Sequence, residues 1–134
     1  MNKLKTSDKI YVAESKIPDS GRGVFARIGI KKNEVIESCP VIEVPPHDVA
    51  NLSESVLVTY FYYLGKNKER VLITLGFGAI YNHTYTPNAM YEERLNAGLI
   101  DFVALKDISK DEEITVNYNS ENSGNKNPLW FEKS

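Results

Sequence analysis

The sequence predicts a mainly β domain with little helix. Short apolar segments rich in β-branched residues recur along the chain, and turn-forming residues interrupt them about every ten residues. The 134 residues are enough for one hydrophobic core, and no internal repeat or linker divides them. We therefore expect a single domain over residues 1–134, with its core at about 10–118 and a C-terminal tail at 119–134.

Apolar patterning predicts the strands of this domain. Val35 and Ile36 form a short strand before Pro40, and Pro45 with Pro46 ends the hairpin that this strand forms with residues 41–44. The other clear strand segments are residues 10–13, 24–27, 99–105 and 114–118.

Two segments carry mixed signals. Residues 49–64 fit either a short helix, with Ser53 as a capping residue, or an irregular turn, and in both cases they lead into a strand. Residues 71–81 are apolar but contain Gly76 and Gly78, which predicts a buried, bent strand rather than a helix.

Composition and charge narrow the classes of function. The net charge of −2 provides no overall attraction to nucleic acid. Cys39 is the only cysteine, which excludes an internal disulfide and a cysteine-rich zinc cluster. Residues 1–9 do not resemble a signal peptide, and no apolar run has the length of a membrane span. We expect a soluble, cytoplasmic protein without direct nucleic-acid or membrane binding, the nucleus being the alternative for a eukaryotic or viral source.

A glycine pair marks the first candidate binding segment. Gly21 and Gly23 flank Arg22, and paired glycines let a backbone approach a ligand closely and expose its N–H groups. A plain turn between strands explains the same residues. The segment also lacks the third glycine and the following helix of a dinucleotide-binding loop.

The second candidate is a polar pair, Asn82 and His83, which directly follows an apolar stretch. Buried side chains of these types need hydrogen-bond partners, and a polar ligand is one way to provide them. A structural histidine bonded to backbone carbonyls is the alternative. Metal binding is disfavoured, because the other histidine, His47, lies far away in a proline-rich segment.

The third candidate is Tyr118, which ends a segment of strand-like alternation. From the residues alone it is either a packed aromatic or a catalytic group. Glu112 and Glu113 precede this strand, and neighbouring residues on a strand point to opposite faces. We therefore interpret the two glutamates as a solvated turn rather than a pair for acid–base catalysis.

In their order along the chain, these motifs resemble the SET domain of protein-lysine methyltransferases, in the form of its small stand-alone bacterial and viral members. The matching segments are GRGVFA at 21–26, YNHTYTPNA at 81–89 and EEITVNY at 112–118. Between them, three further segments also match: IKKNEVI at 30–36, VTYFY at 58–62 and ALKDI at 104–108. The resemblance therefore covers nearly the whole chain.

The resemblance implies a fold of several small β-sheets with a C-terminal pseudoknot, in which the Asn-His stretch and the strand at 114–118 cross. It implies transfer of methyl groups from S-adenosyl-L-methionine to the side-chain amine of lysine in a histone-like, ribosomal or other basic protein. No metal is required. The alternative is a catalytically inactive SET-like module that binds a peptide or a protein.

The resemblance also implies residues that bind the cofactor. The backbone around Gly21, Arg22 and Gly23 would contact the methionine part of S-adenosylmethionine. Asn82 and His83 would bind its amino-acid and adenine ends.

Other residues would perform the chemistry. Tyr118 would be the catalytic tyrosine at the mouth of the lysine channel, and Tyr60, with Tyr62, would line that channel. In place of the cysteine-rich flanking segments of many members, the tail would close the cofactor site, with Trp130 and Phe131 packed against the adenine.

The sequence departs from the family pattern at a few positions. Thr84 replaces the usual serine, and Asn117 stands where many members have aspartate. Asn33 and Asp111 replace turn glycines and are among the better substitutes at left-handed positions.

Residues 60–63 are four consecutive aromatic residues. One small domain can hardly bury such a run on both faces, so we expect part of it to form a homodimer contact.

Overall fold

The structure, a computed structural model, describes residues 4–64, 70–94 and 97–118. Its strands are β1 (Ile10–Glu14), β2 (Arg22–Ala26), β3 (Val35–Val44), β4 (Phe61–Leu64), β5 (Arg70–Thr74), β6 (Asn82–His83), β7 (Ala89–Arg94), β8 (Leu99–Ala104) and β9 (Glu113–Val116). The described helices are the short α1 (Val49–Ser53) and the 3-10 turns Pro46–Asp48 and Val56–Thr59. The mainly β prediction is confirmed.

The strands form two sheets, with the orders β1-β2-β9-β6 and β4-β5-β3-β8-β7. In the first sheet, β9 pairs antiparallel with β2 and parallel with β6, where Asn82 lies opposite Thr115 and His83 opposite Val116. The predicted meeting of the Asn-His stretch with the last strand is therefore confirmed. The strands predicted at 10–13, 24–27, 99–105 and 114–118 are confirmed to within two residues.

The predicted hairpin around Pro40 is wrong, because β3 is one continuous strand of ten residues. Its first part pairs with β8 up to Pro40, and its second part pairs with β5 from Val41 onward. Pro40 lacks a backbone N–H, and it lies where the strand changes partners, so little ladder bonding is lost. Its carbonyl still accepts a hydrogen bond from the Leu75 N–H at 2.9 Å.

The strand predicted over 71–81 is also too long, because β5 ends at Thr74. Gly76 adopts a left-handed backbone conformation, with φ of 65°. Gly78 N–H then bonds to the Leu75 carbonyl at 3.3 Å and Ile80 N–H to the Phe77 carbonyl at 2.8 Å. These are turn-closing bonds, so the glycines end the strand rather than bend it.

Residues 49–64 contain the five-residue helix α1 and a 3-10 turn, and they lead into β4 as predicted. Ser53 is the last residue of α1 rather than its cap, and Ser55 instead caps the following 3-10 turn by accepting a bond from the Leu57 N–H at 3.1 Å. Asn33 and Asp111 both have positive φ, as predicted. The sequence analysis did not predict strands β6 and β7.

The core contains a cluster of aromatic rings. Tyr81 stacks on Phe102 with ring centroids 4.2 Å apart, and Tyr62 contacts Tyr91 at 4.6 Å. All four rings are buried, whereas Tyr60 and Tyr63 remain 40% and 38% exposed. The aromatic run is thus split between core and surface, and its role in a homodimer stays a prediction.

None of the described helices has the length and apolar character needed to cross a membrane.

The buried tyrosines predict a loss of stability at alkaline pH. Burial raises the pKa of the Tyr62 and Tyr81 hydroxyls well above their usual value of about 10. The unfolded chain then releases phenolic protons that the folded protein retains, so the free energy of unfolding falls as the pH rises above about 10. Each such tyrosine contributes about 1.4 kcal/mol per pH unit to this slope. Denaturant titrations from about pH 8 to about pH 11 measure it.

A pair of variants isolates the effect from the titration of lysines. Tyr62→Phe should make the alkaline slope shallower, because one buried phenol is removed. Tyr63→Phe, at the exposed neighbouring position, should leave the slope unchanged. Equal slopes in the wild type and in Tyr62→Phe would contradict the prediction.

Candidate active site

Four separate parts of the chain meet around one cleft with a volume of about 860 Å³. The segments are the loop between β1 and β2, the residues around β6, and the two tyrosines Tyr60 and Tyr118. The lining residues are Ile17, Pro18, Asp19, Ser20, Gly21, Arg22, Tyr60, Ala79, Ile80, Asn82, His83, Thr84, Tyr85 and Tyr118. The volume lies within the range of small-molecule sites.

Asn82 stabilises one wall of this cleft through two hydrogen bonds. Its amide nitrogen donates to the carbonyl oxygen of Arg22 and to Oε2 of Glu113, both at 3.0 Å. Asn82 thereby joins the start of β2 to β9, although Arg22 is 60 residues away along the chain. The side chain is half-buried, and it fixes the backbone next to Gly21 at the edge of the cleft.

Glu113 is a half-buried acceptor with specific donors, and its interpretation as part of a solvated turn is wrong. Its carboxylate accepts bonds from the Ser15 hydroxyl at 2.9 and 3.0 Å, from the Lys16 N–H at 3.1 Å, and from Asn82. Glu112 is likewise bonded, by the Asn88 amide at 3.1 Å. The donors to Glu113 lie up to 98 residues away, so nothing near it in the sequence distinguishes this carboxylate from a solvated one.

Gly23 leaves the space that Glu113 occupies. A Cβ atom at position 23 would lie 2.4 Å from Oε2 of Glu113 and 3.1 Å from the amide nitrogen of Asn82. Gly23 is buried and is not among the residues that line the cleft, whereas Gly21 and Arg22 are. The role of Gly23 as a cofactor contact stays a prediction, and the observed reason for a glycine here is the carboxylate behind it.

Tyr118 is tied to the Asn-His stretch by both its backbone and its side chain. Its N–H donates to Nδ1 of His83 at 3.0 Å, and its hydroxyl donates a short hydrogen bond to the carbonyl of Tyr81. Burial raises the pKa of the Tyr118 hydroxyl, and the neighbouring Tyr60 phenol and Glu113 carboxylate raise it further. The phenol therefore stays protonated, and Nδ1 of His83 carries no proton.

A second, much narrower cavity opens beside the cleft. Its volume is about 10 Å³, close to that of a single water probe, and it is lined by Tyr60, Phe61, Tyr62, Ala79 and Tyr118. Tyr60, Ala79 and Tyr118 line both cavities. The small cavity, here called the narrow aromatic passage, therefore lies beside the cleft at the hydroxyl-bearing Tyr118.

The structure thus brings together the predicted residues Gly21, Arg22, Tyr60, Asn82, His83 and Tyr118. Tyr62 lines the narrow cavity only, and Trp130 and Phe131 lie outside the described residues. Sequence reasoning did not identify Ala79, Ile80, Tyr85 or the loop residues 17–20, which carry no chemical signature of their own. Among the residues that the structure describes, no group of three His, Cys, Asp or Glu side chains is arranged to hold a metal ion.

The packing of Glu113 against Gly23 gives a stability prediction. Gly23→Ala should displace the carboxylate from its donors and lower the free energy of unfolding by about 1–3 kcal/mol. Gly29→Ala is the matched control, because its new Cβ would meet nothing closer than the Ile108 carbonyl at 4.0 Å. Denaturant unfolding of both variants measures the difference, and equal effects would contradict the assigned role of Gly23.

Several known proteins are similar to this chain in the region that contains the site. The family model of the SET domain matches residues 21–119. A histone-lysine N-methyltransferase of Schizosaccharomyces pombe, specific for lysine 37 of histone H3, is 29% identical over 113 residues, which are 84% of this chain and 71% of that protein. A histone-lysine N-methyltransferase of Halocynthia roretzi is 27% identical over 142 residues, covering 93% of this chain and 37% of that protein.

Solved structures share the fold. The crystal structure of a candidate histone methyltransferase from Plasmodium falciparum superposes with a TM-score of 0.64 at 34% identity, over 84% of this chain and 98% of that one. A chain of an active polycomb repressive complex 2 in its basal state superposes with a TM-score of 0.70 at 22% identity, over 85% of this chain and 16% of that one. The predicted SET fold is confirmed. Matched by the family model over most of its length, this chain belongs to the SET-domain family.

Proposed function

We propose that this protein is an S-adenosylmethionine-dependent protein-lysine N-methyltransferase. The observation that carries the proposal is the position of Tyr118, which lines both the large cleft and the narrow aromatic passage. The cleft offers polar side chains to a cofactor, and the passage, with its volume of about 10 Å³, suits a small terminal group such as the amine of a lysine. Membership of the SET-domain family and the names of its relatives support the same activity.

The residues of the cleft fit S-adenosylmethionine. Its carboxylate matches the exposed, positively charged Arg22, and its amino and adenine groups match the half-buried polar side chains of Asn82 and His83. The exposed backbone at Gly21 lets a ligand approach without a side chain in the way. When bound, S-adenosylmethionine supplies an electrophilic methyl group on a sulfonium. The remaining chemistry belongs to the residues of the chain.

Those residues must deliver a neutral amine. A free lysine has a pKa of about 10.4, so its amine is mostly charged at neutral pH. The aromatic rings of Tyr60 and Tyr62 leave room for about one water molecule in the passage, and this limited hydration disfavours the ammonium form and lowers the lysine pKa. The proton of the Tyr118 hydroxyl is directed at the Tyr81 carbonyl, so its oxygen lone pairs stay available to accept from an amine N–H and to orient it.

The substrate that we propose is a histone-like, ribosomal or other basic protein, and the relatives named as histone-lysine methyltransferases favour a histone. A methyltransferase assay against a panel of basic proteins, with mass spectrometry of the products, tests this proposal. Products on no member of the panel would argue against this substrate class. The cytoplasm or the nucleus is the compartment that such substrates imply.

A catalytically inactive SET-like module that binds peptides is the alternative. Two features oppose it: Asn82 and His83 are both at the cleft, and Tyr118 is held beside them with its hydroxyl fixed. Binding of S-adenosylmethionine without turnover on any substrate would favour this alternative.

Cofactor binding is the first test of the proposal. S-adenosylmethionine should raise the melting temperature of the wild type, because a ligand that binds only the folded state stabilises it. Asn82→Ala should weaken binding by about tenfold in calorimetry, since it removes a polar contact and releases the Arg22 backbone. Asn51→Ala, at an exposed position in α1, is the control and should bind like the wild type. No binding to the wild type would contradict the proposal.

The second test separates binding from chemistry. Tyr118→Phe should keep the fold and most of the cofactor affinity, while the turnover number falls by about a hundredfold. The control is Tyr11→Phe, which removes a hydroxyl bonded to Asp111 at 2.8 Å, away from the cleft, and should keep full activity. Full turnover in a folded Tyr118→Phe would move the catalytic role elsewhere, with Tyr60 as the next candidate.

A further inference from the structure

The segment 75–81 forms part of the site without belonging to a strand. It joins β5 to β6 as a series of turns. Ala79 and Ile80 line the cleft, and the carbonyl of Tyr81 accepts the hydrogen bond from the Tyr118 hydroxyl. The position of this carbonyl therefore decides where the Tyr118 hydroxyl points, and it depends on what holds the turns in place.

Glu37 holds this segment at two points. Its Oε2 accepts from the Phe77 N–H at 3.0 Å, and its Oε1 accepts from the Tyr81 hydroxyl at 2.8 Å. The carboxylate reaches the segment from β3 and is 8% exposed. A Cβ atom at Gly76 would lie 2.7 Å from Oε2, so the glycine leaves room for the carboxylate as well as permitting the turn.

A carboxylate buried in this way is anchored by its donors. Leaving a buried charge without hydrogen bonds is strongly unfavourable, so Glu37 and its two partners adopt one arrangement. Burial raises the pKa of the Tyr81 hydroxyl, and the charge of Glu37 raises it further, so this hydroxyl remains a donor. The Tyr62 hydroxyl adds a third bond to the segment, to the Gly78 carbonyl at 2.7 Å.

We propose that Glu37 is a positioning residue for Tyr118. By fixing the Phe77 and Tyr81 ends of the segment, it sets the carbonyl that orients the Tyr118 hydroxyl toward the narrow passage. The inference rests on the proposed function, in which Tyr118 is the catalytic tyrosine. The contacts run from Glu37 in the five-stranded sheet through Tyr81 to the Tyr118 hydroxyl, and Glu37 itself lines neither the cleft nor the passage.

The test reads the Tyr118 hydroxyl directly. In protein labelled with ¹³Cζ-tyrosine, the Tyr118 resonance is the one missing from Tyr118→Phe. We expect it to shift in Tyr81→Phe, which removes the donor to Glu37, and in Glu37→Gln, whose amide NH₂ displaces one of the two donors. Tyr81→Phe keeps the aromatic ring that stacks on Phe102, so the ring packing that leads to Tyr118 is preserved and a shift reports the carbonyl.

Two controls separate positioning from general loosening of the fold. Tyr11→Phe removes a different hydroxyl–carboxylate bond, and Ile108→Val weakens the core at the bridge to Ile30. Neither should shift the Tyr118 resonance. An unshifted Tyr118 resonance in folded Tyr81→Phe would overturn the proposal. If Glu37→Gln does not fold, the result for Tyr81→Phe is sufficient to decide the question.

Kinetics provide the second readout. The turnover number of Tyr81→Phe should fall by about tenfold through misplacement of Tyr118, while KM for S-adenosylmethionine stays within about a factor of two. In a Tyr118→Phe background the same change should cost little more, because the group it positions is gone. If the two substitutions instead reduce the turnover number by factors that multiply, as expected for independent groups, the proposal is overturned. Absence of wild-type turnover would instead refute the proposed function, and the Tyr118 resonance would still test the positioning.

Discussion

The site depends on the parallel pairing of β6 with β9. A parallel pair cannot be closed by a tight turn, and here the antiparallel β7 and β8 occupy the connection between its strands. Because β9 also pairs with β2, the two residues of β6 come beside the β1–β2 hairpin. Asn82 can therefore reach the Arg22 carbonyl, and His83 can accept from the Tyr118 N–H. A two-residue strand thus places Asn82 and His83 in the cleft and bonds them to the backbone of Arg22 and Tyr118.

Carboxylates fix the irregular segments that the sheets leave unpaired. Glu113 gathers donors from Ser15, Lys16 and Asn82, and Glu37 gathers donors from Phe77 and Tyr81. Hydrogen bonds to a charged acceptor are stronger than those between neutral groups, so a single side chain can hold a loop that has no ladder partner. In both places a glycine leaves the necessary space. Charged acceptors therefore hold segments beside the cleft that lie outside the strands.

Sequence reasoning succeeded where the signal is local. The alternation before Tyr118 predicted β9, and positive φ at Asn33 and Asp111 followed from their residue types. It failed where the deciding partner is distant along the chain. Pro40 predicts a break in the strand, because the sequence does not show that β3 changes partners there. Glu113 is predicted to be solvated, because its donors are far away along the chain. The order of the motifs predicted residues that the structure brings together at one cleft, but not the contacts that orient them.

From the sequence, Tyr118 is either a packed aromatic residue or a catalytic group. Its contacts in the structure are compatible with both roles at once. The ring packs edge-on against Tyr62, with centroids 5.9 Å apart, and burial keeps the hydroxyl protonated by raising its pKa. The same hydroxyl is held by the Tyr81 carbonyl beside the narrow passage. A group that must orient an amine needs a fixed rotamer and a fixed proton, and packing provides the first while the carbonyl provides the second. Burial of this tyrosine is therefore a condition of its proposed role rather than an argument against it.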